Sequence, residues 1–304
     1  MISLEQLRKN RNFDTYTCDK QKCILINNFF KDNNLDSAVV GISGGIDSAL
    51  VLGLLSRAST HDNSPIKKIV AITLPIYSKG STEQDDTIYK ANLLFNNFKY
   101  NVTTMNVDLS DTCQSYVKAF GIWNTPFSEG QLLSVVRTPA LYYQAALLQD
   151  SGYRSIVVGT TNRDEGAYIG FFGKASDGMN DLQPIADLHK SEVIKLAKYI
   201  GIPEEIINAT PKGNVHDGKS DVEMIGASYN DVEYFILLKD ELNSTYNNST
   251  AHIDIDLSIK TFESFHNIKS LHEKNSHKYE TINGYLTPMG YSKYVDVYKR
   301  LIKL

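Results

Sequence analysis

The sequence runs to 304 residues, 42% hydrophobic and 22% charged, an ordinary balance for a soluble globular protein with one large α/β domain or one domain and an appendage. A formal net charge of −4 leaves no excess of Lys and Arg to neutralise a phosphate backbone, which argues against a nucleic-acid-binding protein. Cys18, Cys23 and Cys113 form no CxxC pair, so neither a disulfide framework nor a zinc site is expected, and a reducing, cytoplasmic compartment fits. Met1 to Lys9 is polar, and no stretch approaches the roughly 20 apolar residues that span a bilayer, so neither a signal peptide nor a membrane partner is expected.

In chain order, the first β-branched run is Ala38 to Ile42, followed by a buried helix over Ala49 to Leu55. Ile69 to Leu74 reads as a second strand. Asp85 to Phe98 places Ile88, Ala91, Leu94 and Phe95 on one helical face. Val102 to Val107 is a third strand, Ala140 to Leu148 a helix, and Ile156 to Gly159 a fourth strand. Ser191 to Tyr199 is an amphipathic helix stopped by Gly201 and Pro203. Strands alternating with helices predict a doubly wound, mostly parallel sheet with helices on both faces. This domain is expected to span residues 1–238. Residues 239–304 form an extension: an exposed loop over Glu241 to Asp254, rich in Asn, Ser and Thr, then a tail from Ser258 with two short helical stretches.

The first strand runs directly into Ser43-Gly44-Gly45-Ile46-Asp47-Ser48 and a helix. Glycines there let backbone N–H groups turn inward as a nest, and the helix N-terminus adds partial positive charge, an arrangement suited to pyrophosphate. Gly41 precedes the loop, Ser43 and Ser48 offer hydroxyls, and Asp47 stands at the mouth, placed to hold Mg²⁺ against phosphates. The bland alternative is a strand–helix turn in which Asp47 or Ser48 only caps the helix. Six consecutive matching positions after a β-run favour function. The chain lacks G-x-x-x-x-G-K-[ST] and any strand-associated G-x-G-x-x-G, which excludes γ-phosphate motors, switch proteins and dinucleotide dehydrogenases. The loop resembles that of the N-type ATP pyrophosphatases, which cleave ATP between its α- and β-phosphates.

A second stretch narrows this. Gly159-Thr160-Thr161-Asn162-Arg163-Asp164-Glu165, Gly170-Phe171-Phe172-Gly173-Lys174, and Asp177 through Lys190 are similar to the NAD synthetase pattern, with one extra residue after Glu165. The likeness covers roughly residues 20–235, with a faint Ser276-His277-Lys278 near the end. In a doubly wound sheet the strands ending at Ile42 and Gly159 are expected to be neighbours, which brings Asp47 and Glu165 to one Mg²⁺.

The resemblance implies ATP contacts from Thr160 and Lys190. It assigns Arg137, Lys174, Asp181, His277 and Lys278 to a dinucleotide substrate, and Asp177 to substrate and ammonia. The chain departs from the family in three places. Around Arg137 an Asn and a second Arg are missing, Pro211-Lys212-Gly213-Asn214-Val215 replaces Pro-[ST]-Ala-Asp-Leu, and His277-Lys278 lacks the basic and proline residues that follow. These changes leave adenylation intact and loosen the identity of the carboxylate.

The resemblance therefore implies a ligase that uses ATP and Mg²⁺ to adenylate deamido-NAD, with ammonia then displacing AMP. About 37 residues precede the first strand, too few for a glutaminase domain, so free ammonia or a separate donor is expected, and the resemblance implies a homodimer. Two rivals remain. One is the same chemistry on another carboxylate or a tRNA base, although a tRNA-thiolating enzyme needs reactive cysteines and a basic face. The other is a non-catalytic nucleotide-binding module, which the joint presence of Asp47, Glu165 and Lys190 disfavours.

Overall fold

The computed structural model describes residues 2–77, 83–98, 101–121, 125–209, 220–245 and 263–278. Among these residues, four parallel strands form the sheet: β1 (Ser37–Gly41), β2 (Lys68–Thr73), β3 (Val102–Asn106) and β4 (Ser155–Val158), in the order β3-β2-β1-β4. The expected strands are all present, with ends shifted by a residue or so. Because β4 pairs with β1 on the side away from β2, chain order reverses at β1, and the register Val40↔Val158 sets the two strand ends side by side.

Side chains alternate along each strand, so each strand serves both faces of the sheet. Ala38, Val40, Ile69, Ala71, Ile156 and Val158 face one layer. That layer holds α2 (Thr15–Asp32), α3 (Ile46–Ser59), α4 (Glu83–Asn97), and, later in the chain, a helix over Lys190–Ile200, while α1 (Leu4–Arg11) packs on a later helix over Tyr229–Thr245. Val39, Val70, Ile72 and Val157 face α5 (Ser110–Phe120), α6 (Pro126–Val135) and α7 (Arg137–Asp150). From Ala49 to Leu55 every side chain of α3 is buried, since that helix lies between the sheet and α2.

Beyond β4 come α8 (Arg163–Gly166), α9 (Lys190–Ile200), α10 (Glu204–Ile207), α11 (Asp221–Ile225), α12 (Tyr229–Thr245) and α13 (Glu263–Asn275). A 3₁₀ turn over Ser276–Lys278 follows. A third apolar cluster joins Ile169, Ile225, Val232, Phe235, Ile236, Phe265 and Ile268. It explains one departure from expectation: α12 runs unbroken to Thr245, through the start of the expected Glu241–Asp254 loop. Val232, Phe235 and Ile236 pack against Phe265 and Ile268 of α13 and anchor the body of α12, from which the helix continues into the expected loop. The rest of that loop lies outside the described residues, as do Pro211 to Gly218 and the tail beyond Lys278.

Candidate active site

Helix α3 begins at the loop expected to cradle phosphate. Gly44 has φ +77°, and a Cβ there would stand 3.2 Å from the Cα of Thr87, so the position favours glycine twice over. Gly45 is the N-cap and provides no side-chain cap, leaving the first-turn N–H groups for another acceptor. Ser43 is exposed at the mouth. Ser48 is buried and braces the loop from within: its hydroxyl donates to Gly45 O at 3.0 Å and accepts from Ser43 N–H at 3.2 Å.

Beyond β4, Asn162 caps α8 in a capping box with Glu165, its Oδ1 accepting from Glu165 N–H at 3.1 Å. Its Nδ2 donates to Asp47 Oδ1 at 3.0 Å, so one amide ties the ends of both strands together. The Lys190 ammonium, on the first residue of α9, pairs with Asp47 Oδ2 and stands 3.5 Å from Glu165 Oε1. Tyr229 places its hydroxyl 2.8 Å from Glu165 Oε1 and 2.9 Å from Asp221 Oδ2, with one hydrogen to give between them. Its ring faces the Lys190 ammonium at 4.9 Å.

Burial, helped by the Asp47 charge, pushes Glu165 up to about 7 against the pull of Lys190. Burial alone would lower Lys190, yet Asp47 and Glu165 outweigh it and hold the ammonium above its ordinary range. Asp47 and Glu165 thus both lie within reach of the one Lys190 ammonium, and their hard oxygen donors would suit Mg²⁺ when nucleotide phosphates supply the remaining ligands. Among the described residues no group of three His, Cys, Asp or Glu forms a metal site by itself.

The other expected residues lie at several separate places. Lys174 Nζ donates to His277 O at 2.7 Å, and Lys278 Nζ donates to Gly170 O and Phe172 O at 2.8 and 2.6 Å, so this trio joins the Gly170–Lys174 loop to the chain after α13. Asp181 accepts from Val157 N–H at 2.8 Å and anchors its loop along β4. Arg137, at the start of α7, donates to Leu74 O at 3.1 Å, with the Asp177 charge nearby. Thr160 is the second residue past β4, half-buried beside the buried Thr161.

Sequence reasoning passed over Asn162, Asp164 and Tyr229 as site residues. Only Asn162 left a readable trace, because Asn-x-x-Glu is itself a helix-capping signature.

The NAD synthase family model matches residues 19–282. The chain belongs to the NAD synthase family. An NH(3)-dependent NAD(+) synthetase of Thermoplasma volcanium is 32% identical over 79% of this chain and 86% of its own length. One from Picrophilus torridus is 37% identical over 68% and 75%. Among solved structures, an NMN synthetase from Francisella tularensis superposes with a TM-score of 0.69 at 22% identity, covering 91% of this chain and 99% of the other. An NH3-dependent NAD synthetase from Campylobacter jejuni gives 0.63 at 21%, covering 89% and 98%. At these identities the two superpositions establish that this NAD synthase family member shares their fold.

Proposed function

We propose that the chain is an ammonia-dependent NAD synthetase: it adenylates the nicotinate carboxylate of deamido-NAD with ATP, and ammonia displaces AMP to give NAD. The observation that carries this is the convergence of Asp47, Glu165 and Lys190 beyond the adjacent carboxyl ends of β1 and β4, where open α/β sheets bind ligands. The names of the T. volcanium and P. torridus relatives support the acceptor and the ammonia source.

In this reading Gly41, Ser43, Gly44, Gly45, Ser48 and the uncapped first turn of α3 form and line the pyrophosphate cradle, and Thr160 borders it. Lys190 takes up negative charge as pyrophosphate leaves. Mg²⁺ held by Asp47 and Glu165 would polarise the α–β phosphoanhydride bond. Arg137, Lys174, Asp181, His277 and Lys278 are assigned to the dinucleotide, and Asp177 to the carboxylate and the incoming amine. The protein's part is to position and to stabilise charge, so no nucleophilic side chain is needed. Cys18, Cys23 and Cys113 are all buried and form no disulfide, which suits a reducing, cytoplasmic setting. Among the described residues no helix is long and apolar enough to cross a membrane. We also propose a homodimer, supported by exposed Tyr116, Phe120, Phe127, Tyr143 and Leu147 on α5, α6 and α7.

Incubation with ATP, Mg²⁺, ammonium and deamido-NAD tests the reading by mass spectrometry. NAD and AMP are expected in equal amounts. AMP without NAD overturns the acceptor, and the absence of both overturns the ligase. A parallel arm with nicotinate mononucleotide is expected to be the slower one, and a preference for it would reassign the acceptor.

A further inference from the structure

We propose that Asp164 is a positioning residue of the adenylation site: its carboxylate fastens the backbone of α9 to the Asn162–Glu165 turn and keeps Lys190 in register with Glu165. The kinetic part of this inference rests on the ligase reading above, whereas its nucleotide-binding part does not.

Asp164 and His189 are both fully buried. Asp164 Oδ1 stands 2.5 Å from His189 Nδ1, and Oδ2 accepts from Lys190 N–H at 2.7 Å. His189 Nε2 has no hydrogen-bond partner, so the ring proton belongs on Nδ1, where it is donated to the carboxylate. Two neighbouring carboxylates thus reach the same lysine in different ways. Glu165 faces its ammonium, and Asp164 holds its main chain.

That difference matters once nucleotide arrives. A phosphate competing for the Lys190 ammonium weakens the side-chain pairs with Asp47 and Glu165. A bond to the backbone N–H is not consumed in this way and continues to hold α9 against α8. The junction is secured from the other side as well. Arg163 N–H donates to Leu188 O at 2.8 Å, and His189 N–H donates to Glu192 Oε2 at 2.9 Å. Arg11 grips both oxygens of Glu192, at 2.5 and 2.9 Å, and donates to Asp187 O at 2.7 Å. Arg11 lies on α1, ahead of residue 19 where the family match begins. The support around Lys190 therefore reaches a helix outside the matched region.

Asp164→Ala removes both acceptors. Asp164→Asn keeps an oxygen for Lys190 N–H, and its amide can donate to His189 Nδ1 once the ring proton moves to Nε2. For D164A, kcat is expected to fall about 100-fold, the scale of a misplaced reacting group, with KM for deamido-NAD changed by no more than about twofold. Mg²⁺-dependent binding of α,β-methylene-ATP, followed by calorimetry, is expected to weaken about tenfold in D164A and to recover in D164N. A folded D164A with parental binding overturns the proposal, as does a folded D164N no better than D164A. If D164A fails to fold, Asp164→Val, which fills the space while also removing both acceptors, takes its place, and parental binding in a folded D164V overturns the proposal equally. The binding arm uses no acceptor, so a parent that makes no NAD defeats the ligase reading without touching this one.

Discussion

Lys190 reaches its place from a helix that starts more than twenty residues after Glu165, and its ammonium there offsets two carboxylates that would otherwise repel each other. Replacing it with Met leaves Asp47 and Glu165 facing each other without a cation. The cost is expected to be about 1–3 kcal/mol, below the 3–5 kcal/mol of breaking a fully buried pair, because Glu165 already stands near 7 and can take up a proton. K190M should therefore melt lower than the parent without metal, and millimolar Mg²⁺ should raise its melting temperature more than it raises the parent's. Turnover should fall by about 100-fold or more. Equal Mg²⁺ stabilisation of the two proteins would show that the carboxylates and the ammonium do not share one cation position. Asp47, Glu165 and Lys190 were legible in the sequence because each sits in a dense motif at a strand or helix end. Tyr229 and Asp164 were not, since their partners are chosen by tertiary placement: the tyrosine's by the docking of α12, the aspartate's by the approach of α9.

The site depends on β1 and β4 holding register, and that register is fixed at the end of the sheet remote from the site. Asp36, just ahead of β1 and 5% exposed, accepts from Arg154 N–H at 2.7 Å and from Lys67 Nζ at 3.2 Å, so one carboxylate spans the starts of β4 and β2. Burial alone would raise Asp36, but the Arg154 N–H and the Lys67 ammonium outweigh it and hold the carboxyl below its usual range. A carboxyl depressed by folding contributes stability that is complete above its unfolded pKa, roughly 3.9, and is lost as pH falls through the folded value. Asp36→Asn is expected to cost about 1.5–3 kcal/mol at neutral pH, the range for hydrogen bonds to charged groups. In denaturant titrations the gap between parent and D36N should narrow progressively as pH falls below about 3.9, and a gap of constant size would refute the linkage. β1, β2 and β4 were readable as apolar, β-branched runs because both of their faces are buried, whereas β3, at the sheet edge, has no fully buried residue and was readable from its Val102-Thr103-Thr104 run. The helix α2 was harder to read because Asp19 and Lys22 interrupt its buried stripe, paired with Arg57 and Asp187 from distant elements. Helix α6 has little periodic contrast and carries apolar residues on more than one side, whereas α5 is amphipathic and was passed over despite its pattern.

At the scale of the whole molecule, the last described segment acts as a strap across the Tyr168–Lys174 loop. His272 Nδ1 lies 2.7 Å from Tyr168 O, Asn275 donates to Ile169 O at 2.8 Å, and Lys278 bonds Gly170 O and Phe172 O. Nothing in the local pattern of residues 263–278 announced this, because the partners are main-chain carbonyls about a hundred residues earlier. The opposite layer ends in the exposed aromatics of α5, α6 and α7, with Phe120 78% and Tyr143 67% exposed. Large aromatics left in water on helices whose inner sides are already packed argue for a covering surface, and a net charge of only −4 gives little repulsion between copies. If that surface is a second copy of the chain, placing charge there should separate the protomers without unfolding them, since neither ring contributes to the core behind it. The double variant Phe120→Glu with Tyr143→Glu is expected to elute as a monomer in light-scattering chromatography at micromolar concentration, where the parent elutes as a dimer, with its melting temperature lowered by no more than the lost association explains. A monomeric parent, or a variant that stays dimeric, would place the partner of these aromatics elsewhere.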